Sequence, residues 1–142
     1  MPDPCLILFA ENEADDVVLT QQALKEAGAD NPLFGVPDGD EAIRYLKGEG
    51  RYADRKTYPP PGLLLLDLKM PRLTGLGVLS WLREHPEARN NLSVVVLSSW
   101  DDHADVKAAA DLGAADYLLK PNRFDELVDL MREVKHRWLD AA

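Results

Sequence analysis

Cysteine is almost absent from this sequence: Cys5 is its one cysteine, so no disulfide framework can hold the fold together. Positive charge is also scarce, since 16 Lys and Arg stand against 25 Asp and Glu and the formal net charge is −9. A protein that binds nucleic acid or an anionic membrane needs a basic face, so neither is expected as a partner. No apolar run is long enough for a membrane span, and "CLILFA" has no basic segment before it. These absences predict a cytoplasmic protein whose partners are proteins.

The length of the chain suits a single domain, 1–142, that can bury its own hydrophobic core. Hydrophobic residues make up 46% of the sequence and charged residues 29%, which is the balance of a globular domain rather than of a disordered one.

Short apolar runs alternate with segments of helical periodicity along the whole chain. Three of the runs lack polar alternation, which is typical of strands covered by helices on both faces. The predicted strands are Cys5 to Ala10, Leu33 to Val36, Leu63 to Leu66, Val94 to Leu97 and Tyr117 to Leu119. Repeated βα units with right-handed crossovers predict an α/β fold in which five helices cover a five-stranded parallel sheet.

The boundaries of the predicted helices rest on capping residues and glycines. Asp40 and Asp102 are predicted N-caps. Three glycines stand where helices are predicted to end: Gly28, Gly48 and Gly113. The last apolar stripe, from Phe124 to Trp138, predicts one long C-terminal helix. The segment "GEGRYADRKTYPPPG", 48–62, is predicted to be a solvated surface loop.

Polar side chains follow four of the predicted strands at the points where these strands end. Glu11 and Asn12 follow the first strand, Asp67 the third, Ser98 the fourth and Lys120 the fifth. Functional groups of such sheets gather beyond the carboxyl ends of the strands, so we expect these five residues to converge. Converging carboxylates stay ionised together only beside a cation, and Mg²⁺ with oxygen ligands meets that need.

In these motifs the sequence resembles the receiver domains of two-component response regulators, which have a flavodoxin-like, doubly wound sheet of strand order 2-1-3-4-5. The resemblance runs from "CLILFAENEADD" through "LLLLDLKMPRLTG" and "VVVLSSWDD" to "GAADYLLKP". It is greatest to single-domain regulators that work with phytochrome-type sensor kinases, which have a similar proline-bearing loop before the third strand. The resemblance implies a stand-alone phosphoprotein of a two-component phosphorelay, which signals to a downstream protein by contact.

The resemblance also assigns roles to the converging residues. Asp67 would be the phosphoacceptor, which takes a phosphoryl group from a sensor histidine kinase. Ser98 would donate a hydrogen bond to that group, and Lys120 would pair with it. The ligands of Mg²⁺ would be Glu11, Asn12, Asp67 and the backbone carbonyl of Lys69. The Lys120–Pro121 bond would be cis.

Further positions concern the switch and the lifetime of the phosphate. Ser98 and Tyr117 match the residues that rearrange on phosphorylation in this family. The responding surface would comprise the fourth helix, fifth strand and fifth helix, through which a homodimer is also possible. Lys69 and Trp100 match the positions that flank the path of the hydrolytic water. Neither side chain can align a water well, so either the phosphate is shielded or both residues face solvent or a partner.

One departure from the family pattern is Asn12, which stands where an acid usually ligates the metal. The loss of one negative charge should weaken Mg²⁺ binding. Asp15 and Asp16 follow one helical turn later; they could compensate for that charge, but the preferred interpretation is that they favour the N-terminus of a helix. Asn12 therefore leaves open a second function, a receiver fold that binds a partner without phosphate.

Two enzyme classes share part of the pattern and fit it poorly. A flavodoxin-type cofactor site must cradle a phosphate, which "ENEADD" would repel. A phosphatase of the haloacid-dehalogenase type needs an acid two positions after its nucleophile, where this chain has Lys69. We therefore expect no enzyme beyond a protein that assists its own phosphotransfer and dephosphorylation.

Overall fold

A computed structural model describes residues 5–70, 72–99 and 103–140 of the chain. Five parallel strands form one sheet in the order β2-β1-β3-β4-β5, which confirms the predicted fold class and strand order. The strands are β1 Leu6–Ala10, β2 Leu33–Val36, β3 Pro61–Leu66, β4 Ser93–Ser98 and β5 Asp116–Leu119. Each lies within two residues of its predicted bounds; β3 begins earliest relative to prediction, at a proline, which the first residue of a strand tolerates.

The described residues contain six α-helices rather than the predicted five. They are α1 Ala14–Glu26, α2 Gly39–Lys47, α3 Gly75–Glu84, α4 Pro86–Arg89, α5 His103–Asp111 and α6 Phe124–Val134. The additional helix is α4, a single turn that begins with Pro86 at its first position, where proline is well tolerated. The predicted fourth and fifth helices therefore correspond to α5 and α6. No helix in the described part of the chain is long and apolar enough to cross a membrane.

The structure corrects one predicted cap and confirms the glycine stops. Asp38, not Asp40, is the N-cap of α2, because its extended backbone lets its side chain accept a hydrogen bond from the Glu41 N–H at 2.9 Å. Asp40 lies in the first helical turn. Asp102, the other predicted cap, lies outside the described residues. The three predicted stops all have positive φ: Gly28, Gly48 and Gly113.

The C-terminal helix is not one continuous α-helix. After α6, residues Lys135–Leu139 form one π-helical turn. The buried stripe of α6 is as predicted at Leu127, Val128, Met131 and Val134, but Phe124 at its start is exposed. Trp138 falls in the π turn and is only partly buried against the same core.

Alternate leucines of β3 point to opposite faces of the sheet and so belong to two hydrophobic cores. Leu64 and Leu66 pack in the core on the side of α2 and α3, whereas Leu63 and Leu65 pack in the core on the side of α1 and α6. All four side chains are fully buried. The run of four leucines is therefore explained by a central strand with helices on both faces.

The segment 48–62 lies largely at the surface, as predicted, but part of it is packed against the fold. It contains a 3₁₀ turn, Gly50–Tyr52, and Tyr52 is buried with its hydroxyl donating to Glu41 Oε2 at 2.7 Å. Four aromatic rings pack together here, with centroids 4.9 to 6.1 Å apart. They are Phe34, Tyr45, Tyr52 and Tyr58. These aromatic contacts pack the long loop against β2, which is an edge strand.

Candidate functional site

Backbone hydrogen bonds fix the residues that follow the strands at one edge of the sheet. The Glu11 N–H donates to the Val36 carbonyl at 2.9 Å, and the Asp67 N–H donates to the Ala10 carbonyl at 3.0 Å. The Lys120 N–H donates to the Ser98 carbonyl at 2.7 Å. The end of each strand is thus registered against its neighbour, and the predicted convergence of Glu11, Asp67, Ser98 and Lys120 on this edge is observed.

The two carboxylates at this edge are removed from solvent. Glu11 is 3% exposed and Asp67 is 6% exposed, while Ser98 is completely buried. Asp67 Oδ1 accepts a hydrogen bond from the Lys69 N–H at 3.1 Å, and Glu11 Oε1 accepts one from the Glu13 N–H at 3.2 Å. Backbone donors therefore orient both carboxylates, although neither donor carries a full charge.

A glycine lets α3 approach the loop that follows Asp67. The Gly75 N–H donates to the Leu68 carbonyl at 3.2 Å. A Cβ atom at Gly75 would lie only 2.5 Å from the Asp67 carbonyl oxygen, which is backbone and cannot move aside cheaply. The close contact between this helix and the Asp67 segment therefore requires glycine at position 75.

Lys120 supplies the positive charge of the site, and it has two carboxylate partners. Its Nζ donates to Glu11 Oε2 and, at 3.0 Å, to Asp16 Oδ2. Burial alone would lower the pKa of Lys120, but the hydrogen bonds to Glu11 and Asp16 together with the charges of Glu11 and Asp67 outweigh burial and raise that pKa. Lys120 is therefore a firmly charged ammonium group.

Glu11 remains unfavourably placed as an anion despite this partner. The pKa of Glu11 is raised from 4.5 to about 7, because burial and the nearby charge of Asp67 together outweigh the opposing effect of Lys120. Glu11 and Asp67 are thus two buried carboxylates near one ammonium group, which contacts Glu11. A hard divalent cation is the group that such an oxygen-rich pair would favour.

The oxygen ligands of this site fit Mg²⁺ or Mn²⁺. They include one acid fewer than is usual in the sequence pattern of the family. Within the described residues, no three His, Cys, Asp or Glu side chains gather into a metal-binding group. Asn12 is exposed, and by the family pattern its amide takes the place of a further carboxylate. Mg²⁺ binds through few protein carboxylates together with waters and phosphate oxygens, so Glu11 and Asp67 remain a sufficient start.

Asp16 has a further contact in this site besides its predicted place at a helix N-terminus. It does lie in the first turn of α1, as predicted, yet its carboxylate contacts Lys120 rather than serving only the helix N-terminus. Its position five residues after Glu11 gave no clear signal. The contact depends on the path of the Lys120 side chain from the far end of the sheet, which no local pattern reveals.

The remaining predicted site residues lie around this edge. Lys69 is exposed, and its Nζ lies 3.7 Å from Asp105 Oδ2 on α5. Tyr117 is half-buried on β5 and packs against the core. Trp100 lies outside the described residues. The implied cis bond is wrong for this structure: no described peptide bond is cis, so Lys120–Pro121 is trans, with the Lys120 ammonium at Glu11 and Asp16.

A flavodoxin-like sheet of this order, with buried acids and a lysine beyond its strand ends, defines a class of phosphate-handling signalling domains. A family model described as the response regulator receiver domain matches residues 7–132. The chain belongs to the response regulator receiver family. Domains of this family are signalling modules partnered by histidine kinases, and they bind Mg²⁺ or Mn²⁺ at their phosphorylation site.

Three relatives are similar along nearly their whole length. Response regulator Rcp1 of Synechocystis sp. is 31% identical and covers 98% of this chain and 92% of its own; a crystal structure of its Mn²⁺-bound form gives a TM-score of 0.84. Response regulator RPA3017, in red light signalling of R. palustris, is 33% identical with a TM-score of 0.89, covering 97% and 96% of the two chains. The phosphorylated cyanobacterial phytochrome response regulator RcpA is 31% identical with a TM-score of 0.88, covering 99% and 97%.

Proposed function

We propose that this protein is a stand-alone cytoplasmic response regulator, a single receiver domain, 1–142, that accepts a phosphoryl group on Asp67 from a sensor histidine kinase. The observation that carries the proposal is the burial of Asp67 beside Glu11 and Lys120 at the carboxyl edge of the sheet. Rcp1, RPA3017 and RcpA support it, because they are response regulators and two of them are linked to red light or phytochrome.

In the proposed transfer, a carboxylate oxygen of Asp67 attacks the phosphorus of a phosphohistidine. The bond from phosphorus to the imidazole nitrogen breaks, its electron pair leaves with the imidazole, and an acyl phosphate forms on Asp67. The difficulty is the negative charge on the transferred group, which Lys120 would meet by leaving its carboxylate partners. Ser98, buried at the end of β4, would donate its hydroxyl hydrogen bond to the same group.

Mg²⁺ would be held by Glu11, Asn12, Asp67 and the carbonyl of Lys69. When bound, it supplies charge neutralisation for the phosphoryl oxygens. Glu11 and Asp67 would contribute the two anionic ligands, and the Lys69 N–H already fixes the orientation of Asp67. Asn12 would contribute a neutral oxygen. We therefore expect Mg²⁺ to bind more weakly here than at a site with a further acid.

Phosphorylation would change the surface formed by α5, β5 and α6, and this surface would contact a downstream protein or a second copy of the chain. Tyr117 on β5 lies half-buried on this surface, where a change at Ser98 would reach it through neighbouring strands. Leu119 and Phe124 are exposed apolar side chains at the same end of the sheet. Two such side chains offer an anchor for a partner but do not identify it.

The test is incubation of the purified protein with acetyl phosphate and Mg²⁺, followed by intact mass measurement. The parent should gain the mass of one phosphoryl group, and Asp67→Asn should gain none. Asp30→Asn removes an exposed acid elsewhere and should be phosphorylated like the parent. A parent that gains no phosphate while it still binds a partner would favour the phosphate-independent module that Asn12 suggests.

A further inference from the structure

We propose that Asp16 is a positioning residue that shares the Lys120 ammonium group with Glu11, so that this ammonium competes less strongly with a divalent cation for Glu11. This inference rests on the proposed function and adds a residue to it. Its starting observation is the double contact of Lys120, whose Nζ donates both to Glu11 and, at 3.0 Å, to Asp16 Oδ2.

The contrast between two neighbouring acids shows that Asp16 has a particular place. Asp15 and Asp16 both lie in the first turn of α1, where either would favour the helix N-terminus. Asp15 is exposed, whereas the Asp16 side chain is 38% exposed and turned to an ammonium group 104 residues away in sequence. A helix-terminus role alone would not require that contact, and Asp15 provides the matched control for it.

The ion pair between Lys120 and Asp16 affects how strongly the Lys120 charge repels a cation at Glu11. Glu11 serves as ion-pair partner of Lys120 and is also a proposed ligand, and an ammonium group beside it repels an incoming divalent ion. Asp16 holds the same ammonium with a second carboxylate, of which 38% is exposed, so its own desolvation is modest. With Asp16 neutralised, Lys120 would rest on Glu11 alone and compete more strongly with the cation.

Asp16 also compensates for the acid that Asn12 lacks. The site contains three carboxylates, those of Glu11, Asp16 and Asp67, against the one ammonium group of Lys120. Asp16 does not replace Asn12 as a ligand, since its carboxylate contacts Lys120. It restores the missing negative charge at the lysine rather than at the metal.

The test is a calorimetric Mg²⁺ titration of the intact protein. Asp16→Asn should weaken Mg²⁺ binding about three- to tenfold, the range of a partly exposed ion pair, whereas Asp15→Asn should change it less than about twofold. Asp16→Glu should retain most of the parent's affinity. Urea unfolding with EDTA should show that every variant is folded.

A double-mutant cycle identifies the path of the effect. If Asp16 acts through Lys120, then in a Lys120→Met background Asp16→Asn should weaken binding no more than Asp15→Asn does. At saturating Mg²⁺, Asp16→Asn should regain the parent's rate of phosphorylation by acetyl phosphate, because only the affinity for the cation has changed.

Three results would overturn the inference. Equal Mg²⁺ affinities of the parent, Asp15→Asn and Asp16→Asn would remove the role of Asp16 and leave the proposed function intact. A loss that persists undiminished without Lys120 would mean that Asp16 acts on the cation directly. A parent that binds no Mg²⁺ and accepts no phosphate would overturn the proposed function together with this role.

Discussion

Replacement of Asp67 by asparagine should stabilise the cation-free protein, although it removes the proposed phosphoacceptor. Burial of Glu11 raises its pKa from 4.5 to about 7, and the charge of Asp67 contributes to that shift. A shift of this size corresponds to about 3 kcal/mol against the ionised Glu11 carboxylate. Asp67 contributes less to that shift than burial does, and it also attracts Lys120, so its neutralisation should increase the free energy of unfolding by at most about 1 kcal/mol.

The gain should depend on pH in a defined direction. The folded-state pKa of Glu11 lies above that of the unfolded chain, so in the folded protein Glu11 binds a proton as pH falls below about 7. At about pH 8 Glu11 is ionised and repels Asp67, so the full gain from Asp67→Asn should be seen. At about pH 5 Glu11 is protonated in the folded protein, the repulsion is absent and the gain should shrink towards zero.

Mg²⁺ should reverse the order of the two proteins at the higher pH. A ligand that binds only the folded state at ten times its dissociation constant stabilises that state by about 1.4 kcal/mol. The parent should gain this amount, while Asp67→Asn, which lacks one of the two anionic ligands, should gain much less. The parent would then be at least as stable as the variant.

Urea unfolding at both pH values, with EDTA or with Mg²⁺, measures all of these differences. Asp30→Asn, at an exposed position, should stay within about 0.5 kcal/mol of the parent throughout. If Asp67→Asn instead lowers stability in EDTA at the higher pH, or if Mg²⁺ stabilises both proteins equally, Asp67 and Glu11 are not the strained pair argued for here.

Three further predictions concern Asn12, Tyr52 and the pair of positions Lys69 and Trp100. Asn12→Asp should tighten Mg²⁺ binding in a calorimetric titration; equal or weaker binding would show that residue 12 is not a ligand. Burial and the hydrogen bond to Glu41 raise the pKa of Tyr52 to about 12, so the folded protein keeps a proton that the unfolded chain loses above pH 10.0. The free energy of unfolding should fall by about 2 to 3 kcal/mol between those pH values, and Tyr52→Phe should abolish that part of the decrease. Lys69→Asn combined with Trp100→Glu should speed loss of phosphate from the phosphorylated protein; unchanged or slower loss, by intact mass over time, would leave Trp100 as a candidate partner contact.

The sequence was sufficient for the sheet because strand burial has a local signature. Uninterrupted runs such as Leu63 to Leu66 indicate strands covered on both faces, and the polar residues that end them then mark one edge. The helices were less certain at their ends: α4 is too short to show periodicity, and the π turn after Val134 keeps the apolar spacing of an α-helix.

What could not be predicted depends on contacts between distant segments. Tyr52 and Tyr58 lie in a stretch rich in charge, glycine and proline, and their packing on Phe34 becomes evident only once the loop is folded against β2. The pairing of Lys120 with Asp16 is of the same kind, because it joins the end of β5 to the start of α1. Composition indicates a loop and a helix N-terminus at these places, and tertiary structure adds the contacts.

The position of Asp67 directly after four buried leucines has an energetic consequence. Each fully buried leucine stabilises the fold by about 1.5 to 3 kcal/mol, so the run of β3 contributes about 6 to 12 kcal/mol before entropy is subtracted. The cost of the ionised Glu11 carboxylate, which arises mainly from burial and partly from Asp67, is about 3 kcal/mol, and the leucines offset it about two- to fourfold. The central strand therefore holds the Asp67 carboxylate in a buried position beside Glu11. The same arrangement makes Asp67→Asn stabilising without a cation, which is expected of a residue whose charge serves function rather than folding.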